Sequence, residues 1–498
     1  MCHRRSFLQL NLGDHYAALR LVKRFRNAAL FILLCSSGAL TQTAPVSPDH
    51  PWHNPAEFEI EAAAGNVPRA RVNLDSAKTY SLPELIDLAE AHNPATRVSW
   101  EHARMRAAAL GVARSELYPT LAAAALSQTS RSEVFFGGKF YKQAVQDFQL
   151  ALNLSYTIFD FGARSGRIDA ATAQLLSTNL AFNDTHRNVI YQVQTAYYRL
   201  LSSMGQEDAA RASVANAQAV QQAAEERLAH GLATLPDVLE ARSATAQAEY
   251  ELQAALGVEE IARGDLATAI GAPATTTIQV QPLDQVPTRE SISDTVEQAI
   301  DRALGQRPDL MQQVAEIRSA NARVKEARAA FYPSLSLSVS PALPSLYGLQ
   351  QPSPWAHASD LTGGVAFNLN WTVFDGGARK NRLAKAEAEV HAAEAQTNVK
   401  RDQVADEVWT AYSNLNTAFR RRQAAIALLE TASQSYSAAL ESYNYGVRTL
   451  LDVSAAQRTL AQARSSDVLS RTQVLSAVAD LAFRTADSIQ GNPGRPRP

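Results

Sequence analysis

Residues 154–164 read LSYTIFDFGAR, and residues 369–379 read LNWTVFDGGAR: one eleven-residue phrase written twice, 215 positions apart. Seven places are identical, and the exchanges Ile158/Val373 and Tyr156/Trp371 keep shape and polarity. A recurrence at that distance points to duplication of a whole unit. Working outward, LYPTL (117–121) returns as FYPSL (331–335), HGLATLPDV (230–238) as YGVRTLLDV (445–453), and Asn93-Pro94 as Arg307-Pro308, each at an offset of 214 or 215. The chain therefore consists of two homologous halves, 80–272 and 291–487. Between them the Pro/Thr-rich stretch around 273–290 reads as a linker. Residues 45–79 form an N-terminal extension, and the tail GNPGRPRP, within 488–498, is expected to be disordered.

Each half repeats one plan. An Ala-rich helix leads to the Tyr-Pro pair, two short strands come next, and FDxGAR closes the second of them. Helical runs from Arg164 to His230 and from Arg379 to Tyr445 come after, neither containing proline. Sixty-seven helical residues span about 100 Å at ~1.5 Å each. That length cannot be hidden in one globular core and implies a coiled-coil-like assembly. A turn then sends the chain back along a second helix.

The strands carry period-two alternation. From Phe148 to Ile158 the even positions are Phe148, Leu150, Leu152, Leu154, Tyr156 and Ile158, with Gln149, Asn153, Ser155 and Thr157 among those between. From Val365 to Val373 the odd positions include Phe367, Leu369 and Trp371, with Asn368, Asn370 and Thr372 between them. LSLSVS (335–340) alternates as well, and LAAAALSQTS (121–130) is taken as a strand from its repeat partner. FFGGKF (135–140) and LYGLQQPSPWAHASD (346–360) read as the loops joining the strands of each pair. Nine to eleven such residues suit a tilted membrane strand, with Tyr156 and Trp371 in an interfacial girdle. Four strands cannot close a barrel, and open edges are not tolerated in lipid. Two chains would supply eight strands and three chains twelve; spacing alone does not choose.

The N-terminus reads as an export signal, residues 1–44. Arg20, Lys23, Arg24 and Arg26 precede an apolar run from Ala28 to Leu34, and small and polar residues suit cleavage between Ala39 and Ala44. The long charged lead leaves room for a downstream start. The two cysteines, Cys2 and Cys35, both fall in this segment, so a disulfide framework or thiolate metal site is not expected. Leu33 and Leu34 before Cys35 argue against a lipid anchor there. A formal net charge of −2 over 498 residues offers nothing to nucleic acid. GxxxxGK[ST], GxSxG and HExxH are absent, and the histidines form no ligand-spaced cluster, so neither catalysis, metal nor cofactor is expected. Arg420–Arg422 reads as a solvated helix face.

The duplicated plan, the paired Tyr-Pro entries, FDFGAR/FDGGAR and the GxxTxxDV turns resemble the TolC-type outer-membrane efflux proteins, over about 80–487. The resemblance implies a homotrimer with a twelve-stranded β-barrel in the outer membrane of a Gram-negative bacterium, continuing into a long α-helical barrel across the periplasm. It also implies docking to a periplasmic adaptor (membrane fusion protein) and to an inner-membrane RND or ABC transporter, with the chain as passive exit duct. The alternatives are a dedicated protein-secretion duct and, more remotely, a periplasmic coiled-coil adaptor or structural protein.

Both turns between long helices carry Gly followed by Thr-x-x-Asp: Gly231, Thr234 and Asp237, then Gly446, Thr449 and Asp452. Gly can end a helix in the left-handed region, Thr-x-x-Asp can open the next, and Pro236 fits a first turn. The resemblance adds a role: these turns form the closed periplasmic entrance and meet the adaptor, with Tyr443 and Arg448 linked to Asp237 and with Asp452 in an acidic ring. A second acidic position falls on Ala455 and a threonine partner on Pro236, so the lock is expected to be looser than in members that keep both.

Overall fold

The computed structural model describes residues 55–66, 74–75, 77–283, 295–350 and 356–487. The proposed signal segment with both cysteines, part of the linker and the tail lie outside the described residues. Helix α1 (Pro55–Gly65) belongs to a unit of its own, residues 1–69, and all other described elements belong to a second unit, residues 70–498.

The duplication is explicit in three dimensions. After β1 (Thr79–Tyr80) the first half runs α2 (Leu82–His92), α3 (Pro94–Ser115), β2 (Thr120–Phe136), β3 (Lys139–Phe159), α4 (Ala163–Ala229) and α5 (Leu235–Ala269). After β4 (Gln279–Val280) the second runs α6 (Val296–Gln306), α7 (Pro308–Ala329), β5 (Ser334–Val339), β6 (Ala342–Gln350), β7 (Ala356–Ser359), β8 (Val365–Asn370), α8 (Ala378–Asn444) and α9 (Leu450–Arg484). Helices α4 and α8 each have 67 residues, and α5 and α9 each have 35. No helix among the described residues is long and apolar enough to cross a membrane.

Six of the strands form one antiparallel sheet of four lines, β2–β3–(β5, β6)–(β8, β7), because β5 and β6 succeed each other along β3. Pro341 interrupts that third line, and its carbonyl accepts from Leu152 N at 2.9 Å. Register makes the faces continuous. Leu121–Leu154–Val339–Val365 lie in one row, and Tyr156–Leu337–Phe367 in another. Phe148, Leu150, Leu152, Leu154 and Tyr156 therefore share a face with Phe367 and Leu369, while Ser155, Thr157, Ser336, Ser338 and Asn368 point to the other. Eight steps at ~3.3 Å, tilted ~40°, carry Phe148–Tyr156 across about 20 Å of the ~25 Å apolar band of such sheets. The outer edges of β2 and of β7/β8 are unpaired among the described residues of the chain.

Several expectations need correction. The first strand pair is long, and FFGGKF is not a loop: Gly137 and Gly138, at φ +59° and +80°, make a two-residue turn whose flanking residues stay paired. Positive φ at both central residues matches the twist of the strands it joins. LYGLQQPSPWAHASD is mostly strand too, since β6 runs to Gln350 and β7 begins at Ala356; 351–355 lie outside the described residues. Trp371 falls beyond β8, which ends at Asn370; its Nε1 donates to Phe331 O at 3.2 Å as the chain turns away from the sheet. The linker is partly stitched into the core: β4 pairs in parallel with β1, and Ile278 and Val280 are buried. Arg422 is no solvated cation, for it binds Asp467 and donates to Asp467 O at 3.1 Å.

The recurring phrase builds the corner between sheet and helix. Asp160 accepts from Gly162 N (3.3 Å), Arg164 N (2.9 Å) and Arg164 Nε (3.0 Å), while Arg164 also donates to Glu116 O and Ile158 O. Asp375 accepts from Gly377 N (3.2 Å), Arg379 N (2.9 Å) and Arg379 Nε (3.0 Å), and Arg379 donates to Val373 O. One carboxylate thus satisfies the first amides of a 67-residue helix and fixes the arginine that grips the departing strand.

Helices α3, α4, α7 and α8 pack side by side in that order, and α5 and α9 return against α4 and α8. Matched clusters seal the two halves at their waists. Leu85, Ala89, Val189 and Val193 in the first correspond to Ala299, Ala303, Val404 and Val408 in the second. Apolar residues stay exposed at both ends of the row: Val98, Met105 and Val112 on α3, and Val399, Trp409 and Ile426 on α8. Exposed apolar surface at both ends of a row asks for further copies of the chain.

Candidate functional site

The hairpins α4–α5 and α8–α9 end in twin turns. After α4, Gly231 takes φ +71°; its N–H donates to Leu228 O (2.9 Å) and Leu232 N donates to Arg227 O (2.7 Å). After α8, Gly446 takes φ +79°, with Gly446 N donating to Tyr443 O (2.9 Å) and Val447 N to Ser442 O (2.9 Å). Both are helix ends that need a residue in the left-handed region. The returning helices open on reciprocal caps. Asp237 accepts from Thr234 N (2.8 Å) and Thr234 Oγ1 (2.7 Å); Asp452 accepts from Thr449 N (3.1 Å) and Thr449 Oγ1 (2.9 Å). Pro236 sits in the first turn of α5, where a missing N–H costs nothing.

Small residues bring the two hairpins of one chain together. Val220, Ala224, Val238, Ala241, Ala439, Tyr443 and Val453 belong to one buried cluster spanning all four helices. At its edge, around the cluster member Tyr443, the structure gathers Asp237 and a residue that the motif reading missed, Arg227. The Arg227 guanidinium lies 4.7 Å above the Tyr443 ring and donates to Tyr443 O (2.8 Å) and Asn444 O (3.3 Å). Those carbonyls end α8, where a cation is favoured. The Thr234 hydroxyl and amide, with the charge of Arg227 behind them, hold the Asp237 carboxyl below its usual range. Burial pushes the Tyr443 hydroxyl above its usual range, and it finds no partner among the described residues.

Arg448 stands apart. It is exposed, and among the described residues no bond joins it to Asp237. Asp452 is exposed at the start of α9, and its carboxyl is held below its usual range chiefly by the Thr449 amide and hydroxyl, with the charge of Arg448 adding to them. Gly231, Thr234, Gly446 and Thr449 are all exposed at the turns, so they are open to a partner. The signal that could have pointed to Arg227 is a break in the duplication: its counterpart 215 residues on is Ser442. Among the described residues no group of His, Cys, Asp or Glu could hold a metal.

Comparison with known proteins agrees with the duplication. The family model described as "Outer membrane efflux protein" matches residues 85–272 and again 299–486. Protein CyaE of Bordetella pertussis is 29% identical over 474 residues, covering 94% of this chain and 98% of that protein. Outer membrane protein OprJ of Pseudomonas aeruginosa is 25% identical over 426 residues, covering 80% and 82%. A crystal structure of a membrane protein from Pseudomonas aeruginosa superposes with a TM-score of 0.72 at 24% identity, over 88% of this chain and 99% of that one.

Proposed function

The chain belongs to the outer membrane efflux protein family, and from that premise we propose that it is the exit duct of a pump whose energy is spent at the inner membrane. It is an outer-membrane channel: three copies give a twelve-stranded barrel that continues into a helical barrel extending into the periplasm. Channels of this family work with an adaptor and an inner-membrane pump. For this chain we assign the adaptor to the exposed turns at Gly231 and Gly446, and efflux of small solutes rather than dedicated protein secretion as the task.

The observation that carries the reading is the pair of tips. They hold the residues that regulate entry in the proposal: Asp237, Tyr443, Arg448 and Asp452, joined by Arg227. Within one chain Arg227 binds the second hairpin to the first. Arg448, exposed and unbonded to Asp237 in its own chain, is free to reach a neighbouring copy, and its planar fork suits a carboxylate. The polar inner sheet face, with Ser155, Thr157, Ser336, Ser338 and Asn368, offers a wet and unselective passage.

The test is conductance. Purified trimer in planar bilayers should give a small resting conductance, and Arg448→Ser should enlarge it and sensitise cells to antibiotics that the wild-type channel excludes. Unchanged conductance and influx in correctly assembled Arg448→Ser trimers would remove Arg448 from the lock. Cysteines at Gly231 or Gly446 that trap no periplasmic protein in a cross-linking experiment would remove the docking assignment.

A further inference from the structure

The duplication supplies a template for the contact between copies. Within the chain α4 packs on α7, and polar rungs cross that seam: Lys325 Nζ to Asp169 (2.9 Å), Arg167 to Glu326 (3.3 Å), and Glu316, which accepts from Gln174 Nε2 (3.0 Å) and Ser177 Oγ (2.6 Å). Helix α8 repeats α4 215 residues on, and α7 repeats α3 214 residues on, with equal lengths in each pair. The row α3–α4–α7–α8 therefore ends on the two helices whose counterparts are joined in its middle. Positions covered in the template are bare at the ends: Ser319 is 1% exposed, and its counterpart Met105 is 57% exposed. With Val98 and Val112, also exposed, Met105 makes a stripe at a spacing of seven, the pattern of a helix that seats another helix.

We propose that α8 of one copy packs on α3 of the next as α4 packs on α7, and that Glu389 of the first pairs with His102 of the second as the polar rung of that seam. The inference rests on the trimeric assembly of the channel. Two template rungs vanish on transfer: Lys325 and Asp169 become Gly111 and Ala384, and Glu326 becomes Val112 opposite Arg382. The third survives in altered form, for Glu316 becomes His102 and Gln174 becomes Glu389. The carboxylate has changed sides, and an imidazole stands where it was, so the rung stays complementary. His102 lies four residues after Val98 and three before Met105, on the stripe; it is exposed and has no ion pair among the described residues. A Cβ at Gly166 would lie 2.8 Å from Glu326 N, and Asn381 replaces it, so the new seam is wider near the sheet, about two turns from Glu389. Other charges nearby are accounted for. On α3, Glu101 is held by Arg97 (3.0 Å) and Arg104 (3.1 Å), and Arg106 lies one turn on from His102. On α4, behind α3, Thr178, Asn179 and Phe182 carry no charge at this level, and His186 pairs with Glu90 (3.5 Å). On α8, Lys385 approaches Glu389 (3.7 Å) but is 78% exposed, and His391 keeps to Glu394 (3.5 Å). On α7, behind α8, Ala320 and Val324 meet Val390. An imidazole is charged only on the acid side of about pH 6.5, whereas a carboxylate stays ionised down to about pH 4. The ionic form of the rung therefore exists in mild acid and is lost as pH rises through neutrality. Each copy offers α8 on one side and α3 on the other, so the contact closes a ring.

The experiment uses the full-length chain with Cys2 and Cys35 replaced by Ser. Met105→Cys and Ala388→Cys are placed together, because their counterparts Ser319 and Ala173 are both buried in the template seam. Mild oxidation of outer-membrane fractions should capture most chains as covalent dimers and trimers, and either cysteine alone should give none. Folded trimers in which the pair stays unlinked would strike the seam while leaving the channel assembly intact; a chain that is monomeric in detergent would remove assembly and seam together. The rung is read from the rate at which sodium dodecyl sulfate dissociates the trimer. A departing copy breaks two seams, so at about threefold per seam the wild-type rate should be about tenfold lower at pH 5.5 than at pH 8. His102→Gln and Glu389→Gln should each flatten that profile. The double variant His102→Glu/Glu389→Gln rebuilds the pairing of Glu316 with Gln174 and should restore resistance at both pH values. His102→Gln trimers that keep the wild-type pH profile would overturn the pairing.

Discussion

Replacing Arg227 with Met removes a charge and its donors while keeping a long apolar stem against the helices. The wild-type side chain donates to Tyr443 O at 2.8 Å and to Asn444 O at 3.3 Å, and lies 4.7 Å from the Tyr443 ring centre. A hydrogen bond from a charged donor contributes about 1.5–3 kcal/mol net, and a cation over an aromatic ring about 0.5–1 kcal/mol at a partly exposed site. Both draw on one guanidinium and the second hydrogen bond is long, so the expected loss is about 2 kcal/mol per chain rather than the sum. At about 1.36 kcal/mol per decade the ratio of latched to unlatched tips falls about 30-fold in each chain. Single-channel recording should show openings that are longer or larger than wild type. The double variant Arg227→Met/Arg448→Ser should deviate from additivity if both arginines serve one lock. Heat-stable Arg227→Met trimers with wild-type conductance and open probability would refute the latch.

Two further outcomes are expected. Asp160→Ala deprives the first corner of an acceptor for two amides and for the Arg164 guanidinium, and should cost about 3 kcal/mol, seen as a lower yield of heat-resistant trimer in outer-membrane fractions. Arg307, buried at the start of α7, binds Asp309 (2.6 Å) and Glu407 (2.7 Å), which keep Lys400 (2.8 Å) and Arg484 (3.0 Å) respectively. Arg307→Met should therefore cost about 3 kcal/mol, the low end for breaking a buried pair, measured as reduced resistance to denaturant. Burial alone would raise both carboxyls, but Arg307 and its fellow cations hold them below their usual range. Depressed in the folded state, they stabilise it at neutral pH, and that contribution fades as pH falls through the acid range. The gap between wild type and Arg307→Met should narrow on acidification; a gap that widens would contradict it.

Whatever is written twice was legible in the sequence. The equal long helices, the strand-helix corners and the Gly/Thr-x-x-Asp turns rest on contacts a few residues apart, such as Thr234 with Asp237, and their spacing survives in the letters. The alternation from Phe148 to Ile158 was readable for the same reason, since a strand's two faces are local. What escaped depends on partners far along the chain. Arg227 meets Tyr443 across 216 residues, and Ile278 is buried in a linker whose Pro/Thr content suggests only a tether. The length of β2 was hidden because LAAAALSQTS alternates poorly; its pairing with β3 extends it. Breaks in the duplication were the overlooked clue. Arg227 corresponds to Ser442 in the other half, and Asn93 to Arg307; Asn93 bonds to Ala269 O within its half while Arg307 collects an ionic network.

The matched lengths of the four long helices carry a rule for how this chain can change over time. Each arm descends 67 residues and climbs 35 in both halves, so six turns in a trimer stop at one depth. Deleting a single residue from α4 alone would retract three alternate turns by about 1.5 Å and swing them about 100° round their axes. Every second tooth of the crown would then be out of line. Length changes in the arms are consequently tolerated only in step across both halves.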